Sequence, residues 1–131
     1  MPWKFTTQQP IYVQIVDMIE QRIFTGAYRM GDRLPSVRDL AMEASVNPNT
    51  MQRALGELEE RMLVNTQRNT GRTVTGDEKI IRQARLEKAR KLTELYKGDM
   101  AALGFNAGET IAFLTAKEDE DGRHSDNKRA D

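Results

Sequence analysis

The stretch from Gly31 to Val74 constrains this chain more than any other, because it sets two capped helices on one short turn. Pro35-Ser36 opens the first helix. Ser36 can accept a bond from a free backbone N–H, and Asp39 stands at the capping-box position. Asn47 and Pro48 open the second as N-cap and first helical residue, where a missing N–H costs nothing. Only Ser45 and Val46 separate the end of one helix from the cap of the next. That is helix-turn-helix spacing, which presents the start of the second helix to a DNA major groove.

The second of these helices, expected from Pro48 to Met62, carries Met51, Ala54, Leu55, Leu58 and Met62 on one face. Asn49, Gln52, Arg53, Gly56 and Glu60 fall opposite. No acidic residue occurs from Ser45 to Gly56, whereas Glu57, Glu59 and Glu60 crowd the last turns. A helix entering a groove by its N-terminal end has this polarity, although an ordinary amphipathic surface helix has it too. Val64 to Arg68 and Arg72 to Thr75 then read as short strands joined by Asn69-Thr70-Gly71, with Gly71 left-handed. Arginines flanking the tip suit phosphate or minor-groove contact.

Upstream, Pro10 starts a helix that Gly26 ends, with Ile11, Ile15, Met18, Ile19 and Ile23 on its buried stripe. Arg33-Leu34 is expected to be extended because Leu34 precedes a proline. Downstream of Gly76-Asp77, a long helix runs to about Leu103, with Gly98-Asp99 as a point where it could loosen. Asn106 and Glu109 make a capping box for a short helix to about Lys117 that buries Ile111 and Leu114. Two such helices cannot build an independent core in water. Leu92, Leu95, Tyr96, Met100, Leu103, Ile111 and Leu114 therefore need a partner, and an identical chain is the simplest one. The division expected is a DNA-binding domain at 1–76, a dimerisation segment at 77–117 and a disordered polar tail at 118–131.

The 131-residue chain has 20 basic and 20 acidic residues and no cysteine. Disulfides, thiolate metal sites and cysteine nucleophiles are thereby excluded, and a cytoplasmic protein is expected. No apolar run approaches a membrane span and no signal peptide is legible, so no membrane partner is expected. Zero net charge leaves the nucleic-acid argument to charge distribution. Lys79 to Lys97 holds seven basic and two acidic residues, a minor candidate for phosphate contact or simply a solvated face.

Together these residues resemble the DNA-binding half of the GntR family of bacterial transcription regulators. The matching pieces are Pro10-Ile11-Tyr12-Val13-Gln14-Ile15, Gly26, Gly31-Asp32-Arg33-Leu34-Pro35-Ser36-Val37-Arg38-Asp39-Leu40-Ala41, Val46-Asn47-Pro48-Asn49-Thr50 and Glu57-Leu58-Glu59. They span about residues 8 to 75. The two-helix remainder is similar to the small YtrA-like subfamily, whose short tail dimerises. The fold class implied is mainly α with a small β-hairpin: a winged helix-turn-helix domain and a two-helix dimerisation segment. The resemblance implies a homodimer on an inverted-repeat operator in double-stranded DNA, usually as a repressor. Ser36 and Arg38 would contact DNA from the first helix of the motif. Asn47, Asn49, Thr50, Gln52 and Arg53 would line the recognition helix, and Arg68, Gly71 and Arg72 the wing. Ser36 and Asn47 also have plain roles as caps. Met62 departs from the family, where a glycine often ends this helix, and suggests a differently shaped turn. The tip Asn69-Thr70-Gly71 is poorer in glycine than usual.

Two other function classes compete with DNA binding. Catalysis has little to build on, since the single histidine, His124, stands beside Ser125 and Asp126 in the polar tail. Neighbours in such a segment are not a triad. Glu118 to Asp121 lacks calcium-loop spacing. No catalytic residue, metal or cofactor is assigned, and a small-molecule effector is left open. A winged helix that binds protein instead of DNA is the alternative that neutral charge favours.

Overall fold

A first helix, α1 (Ile11–Phe24), carries the core of the computed structural model, which describes residues 3–68 and 71–116. Pro10 caps its start, and Gly26 at φ +85° turns the chain away after Thr25. Ile15, Val16, Ile19 and Ile23 are buried along it. The longer α3 (Pro48–Glu60) packs against this stripe and the short α2 (Val37–Ala44) packs against α3, with Leu40, Met51, Leu55 and Leu58 in the shared core. Burying one such side chain is worth roughly 1.5–3 kcal/mol, so this cluster dominates the stability of the fold.

The turn between α2 and α3 is closed by the backbone. Val46 N–H donates to Ala41 C=O at 3.0 Å and Ser45 N–H to Met42 C=O at 3.2 Å, with Ser45 left-handed at φ +58°. The end of α3 repeats this device. Leu63 N–H reaches Leu58 C=O at 3.1 Å and Met62 N–H reaches Glu59 C=O at 2.9 Å. Met62 takes φ +66°. The turn therefore keeps the left-handed shape a glycine would give it, contrary to the sequence expectation, because burial of Leu58 and Leu63 holds the chain there. The helix also ends earlier than expected, with Met62 outside it and exposed.

Strands β1 (Val64–Gln67) and β2 (Gly71–Val74) pair antiparallel in the register Val64↔Val74 to Gln67↔Gly71. Arg33 bridges to Thr73, so the extended Arg33-Leu34 piece lines the free edge of β2, with Leu34 N–H on Arg72 C=O at 2.8 Å. Gly71 is left-handed, as its place in the hairpin requires, at φ +78°. Asn69 and Thr70 lie outside the described residues.

The chain forms two compact units, Met1–Leu86 and Glu87–Asp131, which divide inside α4 (Glu78–Ala102). Ile80, Ile81 and Ala84 pack against the core of the first unit, so the opening turns of α4 belong with it. Gly98-Asp99 does not interrupt this helix. Gly104, at φ +97°, ends it, and α5 (Ala107–Thr115) starts with the expected Asn106–Glu109 capping box. Phe105 and Phe113 meet edge to face at 5.3 Å between centroids. Thr110 is the buried residue of α5, whereas Ile111 and Leu114 are exposed, which corrects their assignment to a buried face. Two helices within one chain offer too little surface to cover them. The tail, including Glu118 to Asp121, His124, Ser125 and Asp126, lies outside the described residues.

Candidate nucleic-acid interface

Capping sets the geometry of the motif. Ser36 Oγ accepts the Asp39 N–H at 3.0 Å, and Asn47 Oδ1 accepts the Asn49 N–H at 2.8 Å. Both side chains are thus committed to helix starts, each worth about 1 kcal/mol. Beyond the caps, Arg38 on α2 and Asn49, Gln52 and Arg53 on α3 are exposed, while Thr50 is half-buried. Among the described residues no acid pairs with Arg38 or Arg53. Arg53 instead lies over the Tyr12 ring of α1, with Cζ 3.8 Å from the centroid.

The start of α2 and the wing share a shallow cleft lined by Arg33, Pro35, Ser36, Asp39, Gly71 and Arg72. This brings Ser36 to the two wing residues Gly71 and Arg72. Arg68 is exposed at the end of β1. Arg72 differs from the open cation that the sequence suggested: its side chain is only 20% exposed and its Nε stands 3.7 Å from Glu59 Oε1 of α3. That separation is an ion pair and not a hydrogen bond. Glu59, in the acidic last turns of α3, thus pairs with the wing near its tip.

Sequence reasoning also missed an arm. Trp3 Nε1 donates to Glu43 Oε2 at 2.8 Å, and Arg22 lies 4.5 Å over the Trp3 ring while bonding Tyr28 and Glu43. The bond from Trp3 does most to hold the Glu43 carboxyl below the usual carboxylate range, against partial burial and with help from Arg22. Gln14, buried on α1, ties the arm through Thr6 N–H, Thr6 C=O and Gln9 C=O. The only sequence signal was the polar Gln14 inside an apolar stripe.

Residues 11–74 match the family described as bacterial regulatory proteins, gntR family. The uncharacterized HTH-type transcriptional regulator YhcF of Bacillus subtilis is 34% identical over 108 residues, covering 82% of this chain and 89% of that protein. The chain belongs to the GntR family. A GntR family transcriptional regulator from Listeria monocytogenes shares its fold with a TM-score of 0.80 at 44% identity, over 84% of this chain and 96% of that one. The HTH-type transcriptional repressor YtrA of Bacillus subtilis is 39% identical over 70 residues, 53% of this chain and 54% of YtrA. As a member of this GntR family the chain is a transcription regulator with a DNA-binding domain, not an enzyme. No helix among the described residues is long and apolar enough to cross a membrane.

Proposed function

We propose that this regulator binds an inverted-repeat operator as a homodimer, with α3 in the major groove and the wing against the backbone or minor groove. The observation that carries the reading is the set of exposed Arg38, Asn49, Gln52 and Arg53 on elements capped by Ser36 and Asn47, with no acid among the described residues drawn onto either arginine. Among the wing residues, Arg68 is the phosphate contact, and Arg72 acts through Glu59 by setting the wing on α3. Two-fold symmetry would set paired recognition helices about one DNA turn apart, hence the inverted repeat. Repression follows by analogy with YtrA, named a repressor. The cytoplasm is where such a DNA target would be met.

The dimer would form through the second unit. Leu92, Leu95, Leu103, Ile111, Phe113 and Leu114 are each more than half exposed, and Tyr96 is 38% exposed. So many large apolar groups in a short segment mark an interaction surface.

Selection of duplexes from a randomised library, followed by footprinting, tests the reading. The expected product is an inverted repeat bound with a steep salt dependence. Replacing Arg38 or Arg53 with alanine is expected to cost about 1–3 kcal/mol of binding and leave the melting temperature nearly unchanged. Failure to enrich any duplex, with a flat salt response, would point to a protein-binding winged helix.

A further inference from the structure

The residue beneath Arg53 belongs to neither helix of the helix-turn-helix motif. Tyr12 stands at the start of α1, and the Arg53 guanidinium rests on its ring at 3.8 Å. Such a stack uses the flat face of the guanidinium and leaves the N–H donors around its rim available. It also restricts a long side chain before any ligand arrives.

Arg53 has a second partner within reach on its own helix, Glu57 one turn onward. Glu57 is engaged elsewhere: its Oε2 accepts from Arg61 Nε at 3.1 Å. Glutamate preceding its cation by four residues is the favoured order along a helix, and Arg53 ahead of Glu57 is the unfavoured one. Arg61 is fixed in turn by Glu20, a nearly fully buried carboxylate 2.6 Å from Nη1. Tyr12, Asp17, Glu57 and Arg61 line one groove between α1 and α3, and Asp17 there is itself engaged. Arg53 thus has the aromatic face of Tyr12, while the carboxylate of Glu57 is held by Arg61.

We propose that Tyr12 is a positioning residue for DNA recognition, its ring holding the Arg53 guanidinium in place while Arg61 keeps Glu57 from neutralising it. The proposal rests on α3 being the recognition helix and deepens that reading. Its energetic content is pre-organisation: an arginine ordered beforehand does not have to be ordered by DNA.

The test uses a duplex selected from a randomised library by the parent chain, titrated at fixed salt. The proteins are the full-length parent, Tyr12→Phe, Tyr12→Leu, Arg53→Ala and the Tyr12→Leu/Arg53→Ala double variant. Tyr12→Phe keeps the ring and is expected to bind within about twofold of the parent, the range of a near-neutral substitution. Tyr12→Leu is expected to lose about two- to tenfold in affinity per recognition helix, the effect of leaving one arginine to be ordered on binding. With Arg53 already alanine, Tyr12→Leu should cost nothing more. Undiminished affinity of Tyr12→Leu, or a loss that persists in the double variant, overturns the proposal. A loss in Tyr12→Phe as large as in Tyr12→Leu overturns it too, because the hydroxyl would then be the active group. If Arg53→Ala itself binds as tightly as the parent, the recognition-helix reading fails first and takes the proposal with it. Should Tyr12→Leu not fold, the Arg53 Hε resonance decides: an upfield ring-current shift is expected in both the parent and Tyr12→Phe. Its absence from the parent refutes the stack.

Discussion

At the scale of single residues, this chain places side chains where backbone geometry resists them and holds them there by packing. Met62 sits left-handed at φ +66° with 60% of its surface exposed, so a glycine would relieve strain and lose little contact. The left-handed conformation costs an L residue roughly 1–2 kcal/mol, and glycine gives back about 0.5–1 through chain entropy. Met62→Gly is therefore expected to stabilise the fold by about 0.5–1 kcal/mol in a denaturant titration. Glu43 supplies a pH-dependent contact. Its carboxyl is held below the usual range chiefly by Trp3, so the contact is complete above that range and lost as pH falls through the lowered folded value. Trp3 is the single tryptophan, which makes its fluorescence a direct monitor of the arm. Acidification to below the usual carboxylate range is expected to shift that emission, and Glu43→Gln to produce much of the shift at neutral pH. An emission unmoved by either change would mean that the arm does not depend on Glu43.

At the scale of elements, the wing and the recognition helix are joined by charge as well as by backbone. Arg68 and Arg72 look equivalent in sequence, yet one is exposed and the other faces Glu59. Their substitutions should therefore separate. Arg68→Ala is expected to weaken specific and random DNA alike and to flatten the plot of log affinity against log salt by about one unit. Arg72→Ala is expected to loosen the hairpin, read as faster amide exchange in β2, with a smaller change of slope. Equal slope changes in the two variants would make Arg72 a phosphate contact after all. The pairing of Arg33 with Thr73 gives the wing a third extended segment. That support comes from the extended segment leading into the first motif helix, so the wing is anchored at both ends of the motif.

At the scale of the whole molecule, the two compact units call for different treatment. The first carries a buried core of its own, into which the opening turns of α4 also pack. The second leaves its large apolar side chains exposed. Sedimentation of the full chain, of one ending at Lys117 and of one ending at Leu86 should give dimer, dimer and monomer. The shortest is expected to stay folded and lose most operator affinity, since one half-site alone is held. A cut at Gly76 is a poorer test, because it removes Ile80, Ile81 and Ala84 from the core. A full chain that sediments as a monomer at micromolar concentration ends the dimer proposal.

What the sequence determined by itself was local. The caps at Ser36, Asn47 and Asn106, the stops at Gly26 and Gly104 and the apolar stripe of α3 follow from rules that act within one or two helical turns. The helix-turn-helix and the outline of its exposed face were legible on those grounds. Tertiary structure alone decided which charges stay available. Arg53 rests on Tyr12, Arg61 joins Glu20 to Glu57, Arg72 faces Glu59, and Trp3 meets Glu43. Apart from the Arg61–Glu57 pair, these partners lie far apart in sequence, where periodicity carries no information about contact. Met62 shows the same division: residue preference argued against a left-handed turn, and the burial of Leu58 and Leu63 across it overrode that preference.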